Sequence, residues 1–327
     1  MVKKKIAALF AGQGAQCPGM GKDLHEASAA ARAVIDSAGV ELQRLMFDGP
    51  EDALKDTRVT QPAVYTVDLA AWAAFTERPD FEERIEVVGM AGFSLGEYAA
   101  FTAAGLIPSF AEGLALVRRR SALMADAGRH GDGSPRGAMA AVIGSRAEVL
   151  EAVRDVHDSA GLEARGLVLE AVNFNAPTQT VVAGDAEAID QLAARAKEVG
   201  RKLKIIPLPV STAFHTEIMR PAAEGIRQAA QDIQFGTPTC PVFLNLTGRP
   251  IAEYAGSVDE VMGRQAMSPV YWQETLEAIS ALGVDAVVEF GPGKALTGFV
   301  KKSLPGILAM NVSDVASLEE AWASLTK

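Results

Sequence analysis

Short apolar runs alternate with longer helical patterns along most of this chain: IAALF at 6–10, helices to about Glu77, EVVGMAGF at 86–93, then helices to about Gly128. A helix between two strands carries the chain back to the edge it started from, so this rhythm predicts a parallel sheet covered by helices. The segment Gln61–Glu77 shows the helical period, with Val64, Val67, Ala71, Ala74 and Phe75 on one face, which predicts that this face is core. The order changes after Ala125–Gly137, whose glycines, polar residues and single proline mark a boundary loop. Residues 138–207 then read as the strand AMAAVIG, the helix SRAEVLEAVRDVHDS, the strands LVLEAVNF and TQTVVAG, the helix AEAIDQLAARAKEVG and the strand LKIIPL. That βαββαβ order is the ferredoxin-like pattern. Alternation resumes after Pro209 with VFLN and AVVEFG, so the small unit reads as an insertion in the larger one. The expected domains are 1–130 with 208–327, discontinuous and α/β, and 131–207, the small inserted domain.

A chain of 327 residues with 49% hydrophobic composition can bury one large core and a smaller module. Its formal net charge of -10 argues against a nucleic-acid partner, which requires a basic face, and leaves small ligands or proteins. Cys17 and Cys240 are too few for a disulfide framework and far from any paired His or Cys, which points to the reducing cytoplasm and to no zinc site. The start MVKKKIAALFAG leads into GQGAQ rather than a small-residue cleavage site, so it reads as a first buried strand. The apolar stretch from Val87 to Ile107 is broken by Glu97 and several glycines and should not span a membrane.

The residues that carry chemistry begin with Gly92-Phe93-Ser94-Leu95-Gly96, between the strand-like VVGMAGF and the helix-like EYAAFTAAG. A tight strand-to-helix turn needs glycines flanking its serine, exposes the hydroxyl and aims a helix N-terminus at a developing oxyanion. Among 30 glycines a chance G-x-S-x-G is the bland alternative, and the placement favours the elbow. A serine nucleophile needs a base. Of the four histidines, His25, His130 and His157 lie in polar or charged surroundings and read as surface residues, whereas His215 follows the apolar strand IIPLPV and precedes a helix that Pro221 can start. On the helix SFAEGLALVRRRSALMA, Ser109 and Glu112 form a capping-box pattern. Arg120 shares a face with Leu116, Val117, Leu123 and Met124, where a guanidinium needs a carboxylate or must snorkel to water; Arg119 has a similar neighbourhood, and periodicity does not separate them. Gly12-Gln13-Gly14 and Gly291-Pro292-Gly293-Lys294 read as turns at strand ends, where open parallel sheets place their sites.

Seven segments in order, AGQGAQ, GFSLGEY, LVRRRSALM, NFNAPTQTVVAG, LPVSTAFHTEIM, RQAMSPVYW and EFGPGKALTGFVKK, resemble the malonyl-coenzyme A:acyl carrier protein transacylase family over nearly the whole chain. The resemblance implies an α/β-hydrolase-like large domain with an inserted ferredoxin-like domain. It implies Ser94 as nucleophile, His215 as base oriented by the backbone carbonyl of Gln265, and the amides of Gln13 and Leu95 as oxyanion donors. It places the carboxylate-binding arginine on Arg120, and it adds Asn245, matching a family asparagine near the histidine, and Phe214 as substrate-binding residues. Two positions depart from the usual pattern. Phe93 stands where a histidine precedes the nucleophile, removing any polar role there, and Phe214 replaces a small residue, giving AFH as in malonyl-selective polyketide acyltransferases.

By this resemblance the chain is a monomer that takes malonyl from malonyl-CoA to acyl carrier protein through a malonyl ester, in fatty-acid or polyketide synthesis, with no metal or cofactor besides the coenzyme A of its substrate. Lys294, Lys301 and Lys302, or Arg201, Lys202 and Lys204, are candidates for docking an acidic carrier; a solvated face is the plain alternative for each. The rival activity is a serine hydrolase or thioesterase, which shares serine and histidine but has no need of Arg120 and ordinarily has an acid between them in the chain. A non-catalytic docking protein would have no reason to keep both Ser94 and His215.

Overall fold

The computed structural model describes residues 2–210 and 212–327, so Ser211 of the LPVSTAFHTEIM segment lies outside the described residues. Nine strands among these residues, β1 (Lys4–Phe10), β2 (Ile85–Gly92), β3 (Ala138–Ile143), β4 (Leu169–Ala176), β5 (Gln179–Gly184), β6 (Lys204–Pro207), β7 (Val242–Phe243), β8 (Ala286–Phe290) and β9 (Leu308–Val312), form two sheets. The chain divides into two compact units, Met1–Ala122 with Gln231–Ala255 and Glu274–Lys327, and Leu123–Ala230 with Gly256–Gln273. The expected insertion 131–207 falls wholly within the second unit.

The first unit holds a parallel sheet in the order β7-β2-β1-β8-β9. β1 is flanked on both edges, and Ile6 to Phe10 are fully buried, which is why IAALF is a continuous apolar run rather than an alternating one. The helix Thr57–Thr76, started by the Asp56 side chain accepting the Arg58 N–H, buries most of its residues. Ala91 of β2 pairs with Phe243 of β7, and this register carries the chain after β7 alongside the turn after β2.

The second unit contains the antiparallel order β4-β5-β3-β6, the arrangement of a ferredoxin-like βαββαβ unit, as expected. Its core joins Val142 to Val149, Val153 and Val156 from the helix Arg146–Ala160, and to Ile189 and Leu192 from the helix Ala186–Glu198. Ser145 and Glu148 cap the first of these helices reciprocally.

Three local expectations change. The boundary loop begins later than Ala125, because the helix Phe110–Ala127 buries Met124 and Ala125 before it ends. VFLN contributes only the two strand residues of β7, since Leu244 and Asn245 enter a turn closed by Thr247 and Gly248 N–H groups on the Leu244 carbonyl. The helix after His215 starts at Arg220, one residue before Pro221, following a short 3-10 turn. Among the described residues no helix is long and apolar enough to cross a membrane.

One buried group carries a pH-dependent strain. Asp68 is fully buried on the helix Thr57–Thr76, beside Gly291, and neither of its carboxyl oxygens has a hydrogen-bond partner among the described residues. Burial and then the nearby Glu289 charge push its pKa well above the ordinary carboxylate value. The neighbouring Ala11 N–H, which donates to the Phe290 carbonyl at 3.1 Å, acts in the opposite direction without reversing the shift. The folded state therefore binds a proton that the unfolded chain releases above pH ~4, and stability falls as pH rises, by about 1.4 kcal/mol per unit up to the raised pKa. Asp68→Asn should remove this slope. Denaturant melts at pH 5 and pH 7.5 should show the variant gaining on the parent protein with pH, and a constant gap would refute the assignment.

Candidate active site

The elbow is built by backbone crowding. A Cβ on Gly92 would lie 1.9 Å from the Gly96 carbonyl, and one on Gly96 would lie 2.1 Å from the Phe10 carbonyl, so only glycine permits this turn against β1. Within this turn Ser94 adopts φ 52°, and His215 sits at φ 65°; among the described residues these are the only non-glycine residues with positive φ. Strained conformations of this kind persist where the surroundings enforce them, often at functional sites.

Within the first unit two side chains bond the elbow serine, and one of them extends into a polar network. Arg120 is 1% exposed and reaches Ser94 Oγ through Nη2 at 3.2 Å, while Nη1 donates to Gln61 Oε1 at 2.7 Å. Its guanidinium carbon lies 5.1 Å from the Tyr98 ring centroid. Burial lowers its pKa, offset in part by Tyr98, but guanidinium remains the charged form. Arg119 is exposed, so the structure separates the two arginines that periodicity leaves equivalent. The helix that carries them starts as expected, with Ser109 Oγ donating to Glu112 Oε2 at 2.6 Å and accepting the Glu112 N–H at 3.2 Å.

Gln61 continues the network, its Nε2 donating to Gln13 Oε1 at 3.2 Å, and Gln13 Nε2 donating to Thr57 Oγ1 at 3.0 Å. Gln13 lies in the turn that follows β1, and Leu95 is the fully buried cap of the helix Gly96–Ala103. The two expected oxyanion donors thus follow the C-terminal ends of adjacent parallel strands, and amides at a helix start lack intrahelical acceptors. Phe93, where the resembled family has histidine, packs against Phe299 with ring centroids 6.3 Å apart, an apolar contact in place of a polar one.

Asn245, expected as a substrate-binding residue, is bonded to the elbow itself. It is fully buried, its Oδ1 accepts the Ser94 N–H at 2.6 Å, and its Nδ2 donates to the Gly92 carbonyl at 2.7 Å. Both ends of the amide are engaged with elbow backbone. The Asn245 N–H in turn donates to Glu97 Oε1 at 2.6 Å.

The second unit holds His215, Phe214 and Gln265, all buried. His215 Nδ1 lies 2.9 Å from the Gln265 carbonyl, as expected, and 3.1 Å from the Ser268 carbonyl, which the sequence did not suggest. Carbonyls only accept, so Nδ1 carries the proton and Nε2 is the basic nitrogen of the neutral ring. The other histidines are committed elsewhere. His25 bonds Asp36 at 2.8 Å, His130 is exposed in its loop, and His157 is half-buried with Nε2 2.8 Å from the Leu169 carbonyl rather than on the surface.

Among the described residues no group of three or more His, Cys, Asp or Glu side chains could hold a metal ion. Of the docking candidates, Lys294, Lys301, Lys302, Lys202 and Lys204 are exposed, whereas Arg201 is paired with Glu151 at 3.1 Å and Asp155 at 3.6 Å. Gln61, Glu97 and Ser268 were missed as site residues in the sequence; Gln61, a polar residue inside a stretch of core periodicity, and Glu97, a carboxylate inside an apolar stretch, left a signal there.

The acyl transferase domain family matches residues 8–319. The chain is 37% identical over 328 residues to the malonyl CoA-acyl carrier protein transacylase of Bacillus subtilis, covering 98% of this chain and 97% of that one. The malonyl CoA-acyl carrier protein transacylase of Clostridium perfringens has a similar structure, with a TM-score of 0.87 at 32% identity, covering 98% of this chain and 97% of that one. A malonyl-transacylase solved in complex with a type II polyketide synthase acyl-carrier protein gives a TM-score of 0.86 at 34% identity, covering 98% of this chain and 99% of that one.

Proposed function

The chain belongs to the acyl transferase family, among its malonyl-CoA:acyl carrier protein transacylases, and from that premise we propose that Ser94 carries the malonyl group between the two thiols. The enzyme moves malonyl from coenzyme A to the phosphopantetheine thiol of acyl carrier protein. The observation that carries the assignment is Arg120 Nη2 at 3.2 Å from Ser94 Oγ. A malonyl ester on Ser94 ends in a carboxylate two bonds beyond its carbonyl carbon, within reach of a cation placed there, and a hydrolase of neutral acyl groups gains nothing from it.

In this mechanism His215 Nε2 takes the hydroxyl proton as Ser94 attacks the thioester carbonyl. The Gln13 and Leu95 amides receive the oxyanion. The proton passes to the departing coenzyme A sulfur, leaving malonyl-Ser94. The carrier thiol then attacks the ester, giving its proton to His215, and the serine hydroxyl is regenerated. Gln265, with Ser268, holds the histidine tautomer in place of a triad carboxylate, and Phe214 shapes the acyl side of the site. Only side chains, backbone amides and the two thiols take part. The fuller reading includes 131–207 as the inserted domain, a monomer in the cytoplasm, and carrier docking at Lys294, Lys301 and Lys302.

The test is a loading and chase experiment. Malonyl-CoA alone should add one malonyl group to the peptide containing Ser94, and carrier protein should discharge it far faster than water does. Loss to water at an equal rate would make the protein a hydrolase, and absence of the adduct would remove Ser94 from its role.

A further inference from the structure

Ser94 occupies a left-handed conformation that its own side chain disfavours, so something outside the elbow must hold it there. We propose that Asn245, backed by Glu97, is the positioning residue that keeps the Ser94 elbow in its attacking geometry, an inference that rests on Ser94 being the nucleophile. The orientation of the Asn245 amide is unambiguous. The Ser94 N–H can only donate, so it faces Oδ1, and the Gly92 carbonyl can only accept, so it faces Nδ2. The Asn245 N–H is held by the Glu97 carboxylate, which belongs to the first turn of the helix that follows the elbow. One side chain therefore ties together the end of β2 and the nucleophile, and its own backbone is tied to the start of the helix. The pairing of Ala91 with Phe243 brings it there, and complete burial removes water as a competitor for these bonds.

The role differs from that of Arg120. A lost clamp misplaces Ser94 Oγ for every acyl donor alike, whereas Arg120 acts only on donors with a free carboxylate. It also has a protonation signature. In Asn245→Asp a carboxylate would set a negative oxygen against the Gly92 carbonyl, but the neutral acid restores both bonds, accepting from Ser94 N–H and donating to Gly92 O. Burial and the Glu97 carboxylate favour that neutral form, and Arg120, bonded to Ser94 Oγ, opposes them.

The experiment measures the rate of Ser94 acylation from malonyl-CoA and acetyl-CoA between pH 5.5 and pH 8, each variant expressed relative to the parent enzyme. Asn245→Ala should lose about 10- to 100-fold, uniformly across this range. Asn245→Asp should recover by about tenfold or more as the pH falls from 8 to 5.5. Both should keep the parent preference for malonyl over acetyl. A flat pH ratio for Asn245→Asp would overturn the clamp, as would a fall in malonyl preference for Asn245→Ala matching that of Arg120→Ala. Glu97→Leu supplies a readout that spares Asn245 itself: slower acylation with unchanged preference supports the clamp, and an unchanged rate refutes it. Failure of the nucleophile assignment is distinct, since the parent enzyme would then carry no adduct on Ser94.

Discussion

Ser94→Ala should yield no covalent malonyl adduct and should lower malonyl transfer by about 10⁴-fold or more, the scale seen when a nucleophile is removed from a site whose other groups remain. The fold should survive the change, because the elbow depends on Gly92 and Gly96, whose lack of Cβ permits the contacts with Gly96 and Phe10, rather than on the serine hydroxyl. The Asn245 Oδ1 bond to the residue 94 N–H is a backbone bond and is retained as well. Intact-protein mass spectrometry after incubation with malonyl-CoA reads the adduct, and an unfolding curve checks the fold. A variant that still loads malonyl would transfer the nucleophile to another group.

Arg120→Ala should cut kcat/KM for malonyl-CoA by about 30-fold to several thousand-fold, the equivalent of roughly 2–5 kcal/mol, while acetyl transfer changes little. The guanidinium is buried, touches Ser94 Oγ, and is anchored by a neutral acceptor, Gln61 Oε1. The bond to Gln61 aligns the guanidinium beside Ser94 Oγ, where it can meet the carboxylate of a malonyl group carried on that oxygen. Removal also costs Gln61 Oε1 its bond to the guanidinium and opens a cavity, so stability should drop too. Rates should therefore be taken per loaded active site. Equal losses for malonyl and acetyl would mean that Arg120 supports the elbow and does not read the substrate.

Much of the fold was legible because strand and helix periods are local. IAALF and EVVGMAGF are continuous apolar runs since both strands lie inside a parallel sheet, and the order of elements in 138–207 identified the ferredoxin-like sheet before its strand order was known. The glycines of GFSLG were informative for the same reason: the turn they permit involves neighbours only a few residues away, apart from the Phe10 carbonyl. Boundaries set by packing were less legible, as with the extension of the helix Phe110–Ala127 past Ala125.

By itself the sequence determined the strand-to-helix turn around Ser94, the apolar helix face carrying an arginine, and, through its resemblance, the expectation that His215 is the base and is oriented by the Gln265 carbonyl. Tertiary structure supplied what periodicity could not: Arg120 reaches Ser94 Oγ while Arg119 is exposed, Gln61 anchors the guanidinium, and Asn245 grips the elbow across 151 positions of chain. The physical reason is that a turn is specified by the sterics of adjacent residues, whereas a hydrogen bond between distant ones exists only after strand register has aligned them. Here the pairing of β7 with β2 brings Asn245 to the Ser94 N–H, and no periodicity in either segment records that pairing.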